Sequence, residues 1–228
     1  MRKNAERLLK DLEERLKYFS ELGLDFILFD RKSPSPKISP IKPNLIASLE
    51  QKILRCKLCP LSRERKNAVP GEGNWETDLM FVGEAPGQDE DIQGRPFVGR
   101  AGQLLTKIIE AMKFQRSEVY ITNVVKCRPP GNRIPHREEI EKCAFYLLAQ
   151  IKFIQPKVIV ALGKTALDFF IRSNAAMTNL RGNFYDYCGI RVMPTFHPSY
   201  VIRNEGKKEI KRMVWKDMQK VMDFLGKT

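Results

Sequence analysis

The sequence predicts an α/β fold in which a parallel sheet is covered by helices on both faces. Three observations predict it. Short, continuously apolar runs alternate along the chain with longer segments of helical periodicity, the pattern of strands buried on both sides. The runs at 79–83, 119–125 and 157–163 are rich in Val and Ile and too short for helices. Glycine, proline and unusual polar residues gather directly after apolar runs, in GEAPGQDED (83–91), NVVKCRPPGNR (123–133) and TFHPSY (195–200). In open α/β sheets, ligands bind beyond the carboxyl ends of the strands, so these three loops are the candidate site.

Each element has its own signal. Residues 2–20 carry Leu9, Leu12, Leu16 and Phe19 at helical spacing, and Gly23 is a stop. Residues 26–44 are basic and punctuated by Pro34, Pro36, Pro40 and Pro43, which reads as an extended linker. Residues 1–43 therefore form an N-terminal helix and linker, and a single main domain is expected over 44–228. Asn44 can cap the next helix, whose Ile46, Leu49 and Ile53 share a face before Cys56. Strands are expected at 79–83, 119–125 and 157–163, and helices at 100–113, 137–154, 164–171 and 207–225. Residues 184–196 read as a hairpin or bent strand turning near Cys188–Gly189. Within the last helix, QKVMDFL (219–225) reads as a helix face and not as a sliding-clamp peptide, because it lacks paired terminal aromatics.

The chain has 228 residues, 43% hydrophobic and 29% charged, which is globular composition and excludes wholesale disorder. No apolar run approaches the roughly 20 residues of a membrane span. The first residues are charged throughout, unlike a secretory signal. An intracellular, cytoplasmic protein without membrane contact is expected. Lys and Arg number 40 against 27 Asp and Glu, a formal net charge of +13. Such a surface attracts polyanions, nucleic acid first among them.

Cys56 and Cys59 form a C-x2-C pair, Cys127 follows after 67 residues and Cys143 after 15 more. In an intracellular chain such thiols point to metal before disulfides. Zinc and an iron–sulfur cluster both accept four thiolates, and the spacing does not choose between them. Cys188 fits no spacing and reads as a core or strand thiol. Glu84 follows a strand inside a tight Gly-Pro-Gly turn, where a carboxylate can orient or deprotonate a water. Gln88, Asp89, Glu90 and Asp91 make the same loop acidic within a basic protein. Phe97, in GRPFVGRAGQLL (94–105), is suited to stacking on a flat ligand. His197 follows a strand and precedes Pro198, so it can donate to a developing oxyanion. His136 reads as a surface residue near a helix start.

Together, CKLCPL (56–61), GEAPGQDED, GRPFVGRAGQLL, ITNVVKCRPPGNRIP (121–135), Cys143, ALGKTAL (161–167) and TFHPSY resemble the family 4 uracil-DNA glycosylases, the iron–sulfur type of archaea and bacteria. The likeness covers roughly residues 45–225 and leaves the first 43 outside. It implies a three-layer α/β/α fold with a central four-stranded parallel sheet. It also implies one four-iron four-sulfur cluster on Cys56, Cys59, Cys127 and Cys143, and a monomer that acts on uracil-containing DNA. The implied reaction is hydrolysis of the bond between uracil and deoxyribose in single- and double-stranded DNA, leaving an abasic site. Family 5 has an apolar residue where this chain has Glu84, and family 1 has an Asp where it has Ala85. Glu84 would direct the water and His197 would stabilise charge on uracil O2. Gly83, Ala85, Glu90, Phe97, Asn123 and Asn132 would form the uracil pocket. Phe97 would stack, Asn123 would pair with O4 and N3, and Glu90 would shape the pocket against the thymine methyl. Ser199 would grip phosphate, with Tyr200, Val201 and Arg203 at the DNA surface. The readings weighed against this one are a non-catalytic iron–sulfur DNA-binding module of the polymerase-associated kind and a glycosylase for other deaminated bases.

Overall fold

The computed structural model describes residues 43–227. The expected helix over 2–20 and the proline-rich linker lie outside the described residues. Helix α1 spans Pro43–Arg55. It begins at the proline, so Asn44 sits inside the first turn and not at the cap. Proline is pre-organised for that position, because its ring sets φ and no N–H is lost there.

Six strands follow: β1 (Glu72–Gly73), β2 (Leu79–Gly83), β3 (Tyr120–Asn123), β4 (Val158–Leu162), β5 (Tyr185–Tyr187) and β6 (Ile190–Thr195). Their order is β1-β3-β2-β4-β6-β5. The central four, β3-β2-β4-β6, are parallel, as expected. Two short antiparallel strands extend this sheet at its edges, β1 on β3 and β5 on β6. The expected hairpin is β5–β6. Cys188 lies in its turn with φ of 52°, so it is a turn residue and not a core thiol. Between the strands lie α2 (Gln88–Gln93), α3 (Arg100–Ala111), α4 (Arg137–Ile154), α5 (Lys164–Phe170) and α6 (Met177–Leu180), and α7 (Pro198–Arg203) and α8 (Lys208–Leu225) follow β6.

Every residue of β2, β3 and β4 is buried. Alternation then assigns the two faces. Leu79 and Phe81 of β2, Ile121 of β3 and Val158, Val160 and Leu162 of β4 pack with Leu105 and Ile109 of α3 and Met218, Val221 and Met222 of α8. Tyr120 and Thr122 of β3 face the other way and meet Gln150 of α4. Helix α4 is in turn tied to α1, where Tyr146 donates to the Lys52 carbonyl at 3.2 Å. This gives three layers, α/β/α.

A buried ion pair closes the α8 side. Asp217 is 1% exposed and accepts from Arg181 and from Thr195 Oγ1, the latter at 2.6 Å. Burial pushes its carboxyl up, while Thr195 and Arg181 pull it back. Asp217→Ala leaves the half of this pair on Arg181 without its partner. It should cost about 3–5 kcal/mol, read as a lower denaturant midpoint; an unchanged midpoint contradicts the assignment.

The parallel register places the site. Gly83 is paired with Asn123 across β2 and β3, and Leu162 with Thr195 across β4 and β6. All four strands therefore end at one level. The next residues, Glu84, Val124, Gly163 and Phe196, open the loops on a single edge.

Candidate active site

At that edge lies a cavity of about 310 Å³. Its lining includes Glu84, Ala85, Gly87, Glu90, Phe97, Asn123, Asn132, His197, Ser199 and Arg203. The size is at the small end for ligand pockets and suits one flat ring.

Phe97 has φ of 51°, a strained value for a residue with a Cβ, and only 6% of it is exposed. Glu90 explains how this turn is held. Its Oε1 accepts from the N–H groups of Val98 and Gly99 at 2.9 and 3.1 Å, and its Oε2 from Gly87 at 3.0 Å. Glu90 thus staples the Gly87 turn to the Phe97 turn. Its carboxylate works on backbone and is not presented bare to a ligand. Helix α3 comes so close that a Cβ on Gly102 would lie 1.9 Å from the Phe97 carbonyl oxygen.

Asn123 ends β3 and is 1% exposed. Its Oδ1 is the one buried side-chain oxygen or nitrogen among the described residues with no hydrogen-bond partner. Orphaned buried acceptors are costly and rare, and this one lines the cavity. Gly83 keeps the space open around it. A Cβ there would stand 2.4 Å from Asn123 Oδ1 and 2.6 Å from the Phe97 ring. Gly83→Ala should weaken ligand binding in this cavity at least tenfold, since the methyl displaces either the amide or the Phe97 ring; wild-type ligand affinity in that variant would refute the pocket geometry.

His197 caps α7. Its Nδ1 accepts the Ser199 N–H at 3.1 Å and lies 2.8 Å from Ser199 Oγ. An Nδ1 that accepts leaves the imidazole proton on Nε2. Burial, with a smaller push from Arg203, lowers the pKa of His197 to about 4. The ring is therefore a neutral donor at neutral pH. The Ser199 backbone N–H and hydroxyl both meet this ring, so Ser199 helps to position His197. The Phe97 and His197 rings stand 5.8 Å apart, centroid to centroid. Glu84 accepts a hydrogen bond from Thr165 Oγ1 in the first turn of α5.

At the rim, Asn132 accepts from Arg128 Nε at 2.7 Å. Arg133 makes a fork of bonds to Glu139, at 2.8 and 2.7 Å, which fixes the 129–135 loop on α4. Arg203 is exposed and has no ion-pair partner among the described residues. Tyr200 is 37% exposed and rests against Phe196, whereas Val201 is 2% exposed and packs inward with Ile210 and Val214. Val201 is therefore core and not part of a DNA-facing surface. The acidic loop also divides: Asp91 is buried and accepts from the N–H groups of Lys66 and Asn67, at 2.9 and 3.2 Å. Of its acids, only Glu84 and Glu90 line the cavity. His136 is exposed at the cap of α4, as expected.

Cys56, Cys59, Cys127 and Cys143 line a second recess, together with Arg65 and Lys126. Arg65 donates to Cys127 Sγ at 2.8 Å and to the carbonyls of Leu54 and Cys56. The Lys126 N–H donates to Cys143 Sγ at 3.3 Å. Burial pushes the Cys127 and Cys143 thiols up to about 11 and about 12, with Arg65 and Lys126 respectively opposing. Among the described residues, no three His, Cys, Asp or Glu are grouped closely enough for a single metal ion. A cluster is a different test. Its cube of iron and sulfide stands between the thiolates and holds them farther apart than one ion does. Four thiols around one recess with two cations beside it are compatible with that anionic group.

Sequence reasoning did not single out Arg65, Lys126, Arg133 or Thr165. Lys126 had a visible signal, a charge inside the apolar run ITNVVKC. The other three look like ordinary surface residues until the chain is folded.

Fold and cavity define a class: an α/β/α protein with a cavity sized for one flat ring at the carboxyl ends of parallel strands, beside a carboxylate and a neutral imidazole. The family model "Uracil DNA glycosylase superfamily" matches residues 70–219. A type-4 uracil-DNA glycosylase of Thermotoga maritima is 49% identical over 82% of this chain and 97% of its own length. A second, from Saccharolobus solfataricus, is 43% identical over 78% of this chain and 85% of its own. The chain belongs to the uracil-DNA glycosylase superfamily.

Proposed function

We infer that this protein is a uracil-DNA glycosylase of DNA repair, which hydrolyses the bond between uracil and deoxyribose. The observation that carries this reading is the unpartnered Asn123 oxygen in a cavity that also holds Phe97, Glu84 and His197. The target base must leave the stack to be reached, at a cost of a few kcal/mol. In the cavity, Phe97 covers its face. Asn123 Oδ1 accepts from uracil N3–H, and its amide nitrogen donates to O4. Cytosine offers a donor in place of O4 and no hydrogen at N3, so polar groups would be left unpaired. His197 Nε2–H donates to O2 as the C1′–N1 electron pair moves onto the base. Glu84, aimed by Thr165, holds a water and takes its proton as the water oxygen bonds to C1′. The uracil anion then takes a proton from solvent. Asn132, Tyr200 and Arg203 stand at the rim, where a DNA backbone would pass. The basic excess supplies affinity, which should fall steeply with salt.

The four cysteines are assigned to one four-iron four-sulfur cluster, supported by their shared recess and the flanking Arg65 and Lys126. When bound, the cluster would supply covalent cross-links between the segment after α1, the loop after β3 and α4. The catalytic domain is assigned to 44–228, acting as a monomer inside the cell. No described helix is long and apolar enough to cross a membrane.

The test is uracil release from single-stranded uracil DNA and iron analysis on one sample. Free uracil and stoichiometric iron and sulfide are expected, and Cys143→Ser should lower the iron. DNA binding without release supports the non-catalytic module instead, and stoichiometric zinc without iron overturns the cluster. Release of hypoxanthine or xanthine at a comparable rate would widen the substrate class.

A further inference from the structure

Ile134 is the most exposed of the large apolar side chains among the described residues, at 68%. A lone exposed apolar side chain is ordinary on a protein surface. This one is set apart by its place and by how it is held. It directly follows Asn132 and Arg133, which line the active-site cavity at its rim. It precedes Pro135, which is buried before the start of α4.

The chain on both sides of Ile134 is fixed. Upstream, a tight turn carries Gly131 and Asn132 at φ of 61° and 56°. The N–H groups of Asn132 and Arg133 donate to the carbonyls of Pro129 and Pro130 at 3.0 and 3.2 Å. Arg133 forks onto Glu139, and its Nη1 also donates to the Ile134 carbonyl at 3.1 Å. Downstream, the His136 N–H donates to Glu139 Oε2 at 2.7 Å. One carboxylate of α4, on a residue 4% exposed, thus holds the residues before and after the isoleucine. The helix start does not need the Ile134 side chain. The residue that staples a helix start is the one before the N-cap, and here that is Pro135. A rigid loop therefore holds an apolar side chain out to solvent at the mouth of the cavity.

That arrangement fits duplex DNA. A base that swings out leaves a gap in the stack, and apolar wedges, isoleucine among them, enter such steps. A preorganised loop suits this, because little ordering entropy is lost on insertion. Arg203 lines the same cavity and Arg128 is bonded to Asn132 within the loop, so positive charge lies where phosphates would pass. The other large side chains near this rim are less available. Tyr200 is 37% exposed and leans on Phe196, with ring centroids 5.0 Å apart, and Val201 is 2% exposed.

We propose that Ile134 is the wedge that enters the base stack of duplex DNA beside the flipped-out nucleotide. The inference rests on the reading of the protein as a uracil-DNA glycosylase. It makes Ile134 a determinant of action on duplex DNA and gives it no part in the chemistry.

The test compares Ile134→Ala with the wild type on one uracil-containing oligonucleotide, single-stranded and annealed. The ratio of duplex to single-strand excision rates should fall about tenfold or more, because nothing then offsets the cost of unstacking. The melting temperature should stay at the wild-type value, because the side chain is exposed. A 2-aminopurine placed next to the uracil reads the insertion itself, since it brightens when unstacked. Its rise on binding of the wild type to duplex should be lost in Ile134→Ala and kept in Ile134→Leu. An unchanged rate ratio in Ile134→Ala overturns the proposal. So does an equal loss on both substrates, which would place Ile134 in general binding or in the chemistry. A fallen ratio in Tyr200→Ala beside an unchanged one in Ile134→Ala assigns the wedge to Tyr200 instead. If the wild type releases no uracil from either substrate, the enzymatic reading fails, and the 2-aminopurine signal still decides the wedge.

Discussion

Glu84→Gln should slow uracil excision by about 10²–10⁴-fold, the range that a positioned base contributes. The substitution keeps the shape of the side chain and leaves an oxygen for the Thr165 hydroxyl to meet. In the proposed mechanism it removes the charge that takes the water's proton and offsets positive charge growing on the sugar. Uracil affinity should hardly change, because the proposed base contacts are made by Asn123 and Phe97. The Glu84 side chain is neither buried nor in a core cluster, so the melting temperature should stay near the wild-type value. Single-turnover excision on a single-stranded substrate, with free-uracil affinity measured alongside, reads both effects. Full excision by Glu84→Gln would mean that the water is directed from elsewhere.

His197→Ala should lower the excision rate by about 10²–10³-fold, the scale of one lost oxyanion donor, with a smaller effect on KM. Its pH behaviour is the sharper check. The folded pKa is depressed to about 4, below the ordinary 6.5. The unfolded chain therefore takes up the proton first as pH falls. The stability that comes from keeping this ring neutral is full above pH 6.5. It is lost as pH falls towards about 4, below which both states are protonated. His197→Ala removes that part of the acid slope. The donor on Nε2 should likewise persist down to about pH 4, so excision should show no His197 ionisation near pH 6.5. An NMR titration that placed the His197 ring near 6.5 would overturn the neutral-donor assignment.

Much of this was legible in the sequence because local pattern and burial agreed. Three of the four parallel strands, β2, β3 and β4, read as apolar runs, since strands covered on both faces leave no polar side to alternate with; β6 read only as part of a hairpin or bent strand. Helix α4 was expected over its observed residues, bounded by the IPH start and the QP stop. The edge strands β1 and β5 were less visible, for they are two and three residues long and only half-buried. Asn44 misled because the first helix begins on the proline before it. Among the residues that line the cavity, Glu84, Phe97 and His197 were legible because each follows a strand or sits in a glycine-rich turn, and Asn123 only through the family resemblance. Their line-up needed the common register that ends β2, β3, β4 and β6 at one level.

The assignments that changed are those of polar residues whose partners are distant in sequence. Glu90 and Asp91 read as a charged cleft floor, yet their carboxylates are spent on backbone N–H groups. Val201 reads as DNA-facing, yet it packs against α8.

By itself the sequence determined the layered α/β class, the family and the residue types of the site. The class follows from periodicity and loop composition, and the family from the motifs that resemble it; all are local properties of the chain. Only the tertiary structure decided which polar atoms remain free. The Asn123 oxygen has no partner, the Glu84 carboxylate leans on Thr165, and Lys126 Nζ reaches Thr122, Gln150 and the Asn123 carbonyl. A hydrogen bond is satisfied or left open by whatever atom the fold brings within about 3 Å, and no spacing along the chain encodes that distance.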